Sequence, residues 1–298
     1  MPIIDAHVHL YPSGVERDPA GWAAAQGEPH WAVLCTRRRR DGRPVQTFPT
    51  VAELLRTMDA AGVQRAVLLG WYWEKPATCV EQNRFYAATV RAHLDRLSAF
   101  ATIHPGAGRA ATLDEVRRAH AEGLIGLGEL SPHSQGYTAE DPVLAEALAL
   151  AATLQLPVNL HVTDPDSRPF PGRIATPAAD FLRLARGFPT TTFILAHWGG
   201  LLAMREPAFG SLANVYYDTA ASPLLYDADV WSRATSVLGV DRILFGSDYP
   251  LNLYPAQDAV PDLLRLVTEA KAAGMCAAVL GGNAARLLRL ESGSNYGV

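Results

Sequence analysis

Eight short β-rich runs recur along the chain, and stretches rich in alanine, leucine and arginine, with helical spacing, separate them. The runs cover residues 2–10, 65–71, 97–104, 123–130, 157–162, 192–197, 215–219 and 242–248. Helical patterns fall at 51–61, 80–94, 113–121, 142–154, 177–186 and 261–273. Thr50, Thr112 and Thr176 stand where N-caps are expected, and Gly62, Gly123, Gly187 and Gly274 mark expected helix ends. Strand–helix alternation demands a parallel sheet, because each return to a parallel neighbour needs a crossover. Eight such units in 298 residues suit one closed (β/α)8 TIM barrel, expected here as a single domain spanning 1–298. An open doubly wound sheet would ordinarily run from its first strand into a glycine-rich phosphate loop. Here the first strand ends in His7-Val8-His9 instead.

Apolar residues make up 49% of the chain and charged residues 19%, enough to bury a large core. The formal net charge of −4 gives no reason to expect a nucleic-acid partner. No apolar run approaches the roughly 20 residues that span a bilayer, so no membrane partner is expected. Cys35, Cys79 and Cys276 are scattered and odd in number, which suits reduced thiols. The start, Met1-Pro2-Ile3-Ile4-Asp5, lacks a basic region followed by an apolar one. A cytoplasmic location is therefore the expectation. Residues 11–50 form a long insertion after the first strand. In a barrel such a segment emerges at the catalytic face, so it is expected to cover the site. It carries the run Arg37-Arg38-Arg39-Arg40, read first as a solvated loop, with an anion contact as the sharper alternative.

Side chains alternate along a strand, so His7 and His9 share one face. A lone His-x-His pair is common by chance. Three further strand ends carry ionisable groups: His161 after the fifth, His197 after the sixth and Asp248 after the eighth. A carboxylate closing an otherwise apolar barrel strand needs a charge partner, and a divalent ion supplies one. Imidazole and carboxylate suit zinc first, with manganese or iron(II) as alternatives. Glu129, in the last turn of the apolar fourth strand, projects towards the same mouth and could bridge a second ion.

These residues resemble those of the amidohydrolase superfamily, in particular the amidohydrolase-related branch that includes decarboxylases of the aminocarboxymuconate-semialdehyde type. The matching segments are Asp5-Ala6-His7-Val8-His9, His161, Ala196-His197-Trp198-Gly199-Gly200 and Phe245-Gly246-Ser247-Asp248-Tyr249-Pro250, in the family's order. The resemblance implies a barrel with metal on His7, His9, His161 and Asp248. It makes His197 a second-metal ligand in binuclear members or a catalytic histidine in mononuclear ones. Many binuclear members have a carboxylated lysine on the fourth strand, some have a glutamate, and the mononuclear decarboxylases generally lack both. Gly126-Leu127-Gly128-Glu129 is also similar to the corresponding stretch of the TatD-like deoxyribonucleases.

Glu129 tips the sequence reading towards hydrolysis of a small amide, ester or lactone by a metal-activated water, with Asp248 moving the proton and His197 also catalytic. The alternative is single-metal, non-oxidative decarboxylation of a small aromatic or unsaturated acid, with His197 managing protons. Phosphodiester hydrolysis ranks third. Around the rim, Trp71, Trp73, His133, Tyr137 and Arg168 are candidate contacts for a small-molecule substrate. Tyr72 and Arg173 share their loops, His104 could reach the site and His30 could line a lid. A homodimer is the expected assembly.

Overall fold

The computed structural model describes residues 2–39, 41–252 and 263–290. Its strands are β1 (Ile3–Val8), β2 (Val63–Leu68), β3 (Leu97–Ala99), β4 (Leu127–Leu130), β5 (Val158–Leu160), β6 (Phe193–Leu195), β7 (Val215–Asp218) and β8 (Ile243–Leu244). All neighbours pair in parallel, in the orders β1-β2-β3 and β4-β5-β6-β7-β8. The two arcs meet at both edges. Ala101 bridges Leu127 in parallel on one side, and on the other Ala6 N–H donates to Phe245 O at 2.8 Å and His9 N–H to Tyr249 O at 2.7 Å. The result is the expected (β/α)8 barrel. Its strands are shorter than their apolar runs because the last residues of each leave the ladder to build the mouth.

Val51–Ala61 is helical over its predicted span, and Thr50 and Glu53 close it in a reciprocal capping box. Two other predicted caps are displaced. Helix Arg109–Ala121 starts before Thr112, at a left-handed Gly108, and the Thr112 hydroxyl donates to His104 O. Thr176 Oγ1 accepts from Thr163 N–H, so it serves a loop while Pro177 precedes helix Ala178–Gly187. The predicted helix at 261–273 is seen as Leu263–Ala272, and residues 261 and 262 lie outside the described residues. Gly187 is the last residue of its helix, and Phe188 follows as the cap.

One pairing irregularity positions the site. Ile4 and Ala6 pack in an inner cluster with Val67, Leu69, Phe100, Ile194 and Leu244. Val8 packs in the larger cluster with Ala66, Leu68 and the helices. The register shift between Asp5 and Val8 changes which parity faces inward. His7 and His9 therefore turn to the barrel centre while Val8 turns out.

Residues 11–50 carry the helices Pro19–Gln26 and Pro29–Cys35 and have their own apolar cluster. Tyr11, Val15, Ala23, Trp31 and Cys35 pack there against Trp71, Tyr72, Trp73 and Cys79. A buried aromatic ring removes about 150–250 Å² from water, roughly 4–6 kcal/mol before entropy is counted. Polar ties add direction. The buried Glu28 carboxylate accepts from Glu74 N–H at 2.8 Å and Lys75 N–H at 3.0 Å. His30 Nε2 donates to Gly172 O at 2.8 Å, across the mouth.

Candidate metal centre

Four imidazoles and three carboxylates converge where the strands end. His7 Nδ1 lies 2.9 Å from Asp218 Oδ2, and His9 Nδ1 lies 3.0 Å from the Leu69 carbonyl. Both Nδ1 atoms are donors there, which leaves each Nε2 as a lone pair in the neutral ring. Those two Nε2 atoms face one another at 3.1 Å. Glu129 Oε2 is 3.8 Å and 3.6 Å from them, and Asp248 Oδ1 is 3.8 Å and 3.5 Å away.

Two facing lone pairs ringed by carboxylates require a positive charge between them. In the protein alone that charge is a proton on His7. Burial alone would lower the His7 pKa, but Asp218, then Glu129 and Asp248, push it up to about 10. Burial and the charge on His7 hold His9 down to about 3. A divalent cation meets the same requirement with both nitrogens as ligands, so the donor set fits a metal ion. His7, His9 and Glu129 present donor atoms all within 4.8 Å of one another.

A second such group is Glu129, His161 and His197. His161 Nδ1 is 2.8 Å from Glu129 Oε1, and His197 Nε2 is 3.3 Å from His161 Nδ1 and 3.6 Å from Glu129 Oε1. Burial would raise the Glu129 pKa, but His161, His197 and His7 hold it well below the carboxylate range. Burial lowers His161. Asp248 stands beside the first group, and burial pushes its carboxyl up to about 6. Of the four ligands expected together, His7, His9 and Asp248 face one another, and His161 stands beside Glu129 in the second group.

Local backbone aims these groups. Gly128 has φ +128°, and a Cβ there would lie 2.5 Å from Asn159 O, so only glycine lets β4 present Glu129. His197 and Trp198 are left-handed, at φ 58° and 57°. Such residues cost roughly 1 kcal/mol or more each. Asp218 Oδ1 accepts His197 N–H at 3.1 Å, Ala220 O lies 3.2 Å from His197 Nδ1, and Trp198 Nε1 donates to Ser222 Oγ at 2.9 Å. Asp248 is also left-handed, at φ 64°, with its N–H on His7 O at 2.9 Å.

A cavity of about 890 Å³ opens over the cluster. Glu129, His9, His161, His197 and Asp248 form its floor, and His30, Leu34, Cys35, Arg37 and Gln46 reach it from the insertion. Trp71 stacks on Tyr72 with centroids 4.4 Å apart, and these rings lie 5.2 Å from His9 and 4.9 Å from His161 respectively.

The sequence profile of the amidohydrolase family matches residues 4–290. The chain belongs to the amidohydrolase family. No curated protein sequence matches this amidohydrolase at a significant level. Solved structures that share its fold include 5-carboxyvanillate decarboxylase from Sphingomonas paucimobilis, with 17% identity, TM-score 0.74 and coverage of 97% of this chain and 99% of the other. The 5-carboxyvanillate decarboxylase from Novosphingobium aromaticivorans, complexed with manganese and 4-hydroxy-3-methoxy-5-nitrobenzoic acid, has 15% identity, TM-score 0.73 and coverage of 97% and 96%. A 2,6-dihydroxybenzoate decarboxylase complexed with 2,6-dihydroxybenzoate has 19% identity, TM-score 0.67 and coverage of 97% and 100%. At these identities the likeness establishes the shared barrel.

Of the rim residues predicted for this amidohydrolase, Trp71 and Arg168 line the cavity. Three do not. Trp73 is fully buried under the insertion, its ring 5.3 Å from Trp22 and 5.7 Å from Trp31. The short helix Pro132–Gln135 carries His133 outward, where Nε2 lies 2.9 Å from Asp180 Oδ2. Tyr137 packs edge-on against His104 and donates to Gln135 Oε1 at 3.0 Å. His104 is bound to Gln135 O and Gly106 N–H and also stays outside the cavity.

Asp218 was not among the predicted residues. It is fully buried at the end of β7, and Asn159 Nδ2 adds a 3.0 Å contact to those from His7 and His197. Burial would raise its pKa, but His7 and then His197 lower it, so it is the anion that fixes the His7 tautomer. Such outer partners set ligand orientation and basicity. Asp218→Asn should weaken metal affinity by about 10–100-fold, read by competition with a chromogenic chelator. Unchanged affinity would show that His7 needs no such anchor. The signal available in the sequence was the one used for Asp248: a carboxylate ending an apolar strand.

Proposed function

We propose that this amidohydrolase is a metal-dependent decarboxylase of a small aromatic or unsaturated carboxylic acid. The observation that carries the proposal is the stacked Trp71–Tyr72 pair, which brings flat apolar surface against His9 and His161 of the ion-holding cluster. A planar acid lying on that surface presents its polar end to the cluster. The structural relatives named above, over 97% of this chain, are decarboxylases of aromatic acids, which favours the same chemistry here.

His7, His9 and Glu129 would hold the ion. When bound, it supplies the positive charge that anchors the acid's oxygens. The bond that breaks joins the carboxyl carbon to the substrate; its electron pair stays on the substrate carbon, and carbon dioxide leaves. That carbon then takes a proton. Asp248 faces the Nε2 atoms of His7 and His9 from the cavity floor, and burial pushes its carboxyl up to about 6, so it is the group placed to hold that proton and deliver it. His161 donates from Nδ1 to Glu129 and keeps that carboxylate ionised. The insertion and the aromatic pair exclude water from the carbanion.

A second reading, two-ion hydrolysis of a lactone, ester or amide, is favoured by one observation: Glu129 belongs to both donor groups. The test uses purified protein dialysed against chelator and reloaded with manganese or zinc. Substituted benzoates are followed for carbon dioxide, beside lactones and amides followed for ring opening or amine release. The proposal expects carbon dioxide only, lost on chelation and restored by metal. Turnover of lactones or amides without any carbon dioxide would replace it with the second reading.

A further inference from the structure

The turn that presents His197 is left-handed along its whole length. His197, Trp198, Gly199, Gly200 and Leu201 have φ between 56° and 59°. Gly200 N–H and Leu201 N–H donate back to His197 O and Trp198 O at 2.9 Å and 3.2 Å. Residues with a side chain enter this region singly, so a run holding His197, Trp198 and Leu201 stands only where its surroundings fix it. Two ties run to the β7 side: Asp218 accepts His197 N–H, and Ser222 Oγ accepts from the Trp198 indole. A third runs the other way. Arg205 Nη1 donates to Gly200 O at 2.6 Å, while Nη2 donates to Asp164 Oδ1 at 3.1 Å and Asp166 Oδ2 at 2.7 Å.

Asp164 is buried in the loop that follows β5 and His161. Gly200 packs directly on that loop: a Cβ there would lie 2.9 Å from Val162 Cγ1 and 3.1 Å from Asp164 Cα. Arg205 therefore joins the two loops that carry the histidines of the second donor group. Among the described residues, the 3.3 Å contact between His161 and His197 is the only other polar link between these loops. The planar guanidinium suits the bridge, since one nitrogen serves a carbonyl and the other serves carboxylates. Glu129 is bonded to His161 at 2.8 Å and lies 3.6 Å from His197, so the setting of the two imidazoles sets the carboxylate between them.

We propose that Arg205 is a positioning residue of the metal centre: by bridging the β5 loop to the left-handed turn it fixes His197 against His161 and, through them, orients Glu129. The inference rests on the reading of the cluster as a metal centre and is independent of the bond broken there. Arg205 does not line the cavity, so it acts through the histidines alone.

The measurement is zinc affinity, by competition with a chromogenic chelator. Arg205→Gln should weaken zinc binding about 10-fold, the lower end of the range for outer partners. Arg205→Lys should lose less, because an ammonium keeps part of the charge bridge without the fork. Asp166 is 77% exposed, and Asp166→Asn, which leaves the bonds to Gly200 and Asp164 in place, should stay within about twofold of wild type. A residue that only props the fold would lower the melting temperature of the metal-free protein and leave affinity alone. The deciding arm is a double-mutant cycle with His197→Asn, since asparagine tolerates the left-handed conformation. In that background Arg205→Gln should cost less than about twofold, because the group it acts through is gone. Unchanged zinc affinity in Arg205→Gln, or the same loss with and without His197, would overturn the inference. No zinc binding by the wild-type protein would instead remove the metal-centre reading, and this inference with it. Carbon dioxide release is a separate measurement. Its absence with these affinity differences intact would remove the proposed reaction and leave the role of Arg205 standing.

Discussion

Replacing Asp248 with asparagine should lower turnover by about 10³-fold or more, the upper part of the range for losing a positioned proton-transfer group. The substitution isolates the chemistry unusually well. Asp248 sits at φ 64°, a conformation asparagine tolerates, whereas alanine there would add backbone strain. The amide keeps the side chain's size, and the backbone N–H on His7 O is untouched. The amide cannot accept and return a proton. Because His7, His9 and Glu129 are untouched and the amide oxygen can still face the two Nε2 atoms, bound metal should persist, and the melting temperature of the loaded protein should move by only a few degrees. Turnover in Asp248→Asn above about a tenth of wild type, with metal content unchanged, would remove Asp248 from proton transfer. Loss of the metal together with activity would make it a ligand instead.

The barrel was legible because eight apolar runs alternate with amphipathic ones, and no open-sheet signature interrupts them. The pair His7 and His9 was legible through strand periodicity alone, although the register shift that turns both inward is a tertiary feature. Less was visible in the loops. Trp71, Tyr72 and Trp73 follow one strand and all pack on the insertion's cluster, yet the first two also line the cavity and the third does not. His133 and Tyr137 were placed at the rim because they follow β4, but the direction of a short helix decides that, and it points to Asp180. The arginine run 37–40 was read first as a solvated loop, with an anion contact as the alternative, and Arg37 lines the cavity. Its contact is Phe170, more than a hundred positions away, which no local pattern encodes.

Glu129→Gln should strip the protein of bound metal at micromolar free ion, with turnover falling by about 10³-fold or more. Glu129 is the anionic donor common to both three-donor groups, and it is almost wholly buried. A neutral amide of the same shape removes the one carboxylate that His7, His9, His161 and His197 share, and leaves Asp248 as the remaining anion beside His7 and His9. The consequence for reaction class comes from pairing this variant with His161→Asn, which removes a donor of the second group while its amide can keep the bond to Glu129. Under the decarboxylase proposal one ion sits at His7, His9 and Glu129, so wild type and His161→Asn should both carry one equivalent by elemental analysis. Under two-ion hydrolysis the counts would be two and one. Glu129→Gln retaining a full complement of metal would refute both arrangements, because each makes this carboxylate indispensable.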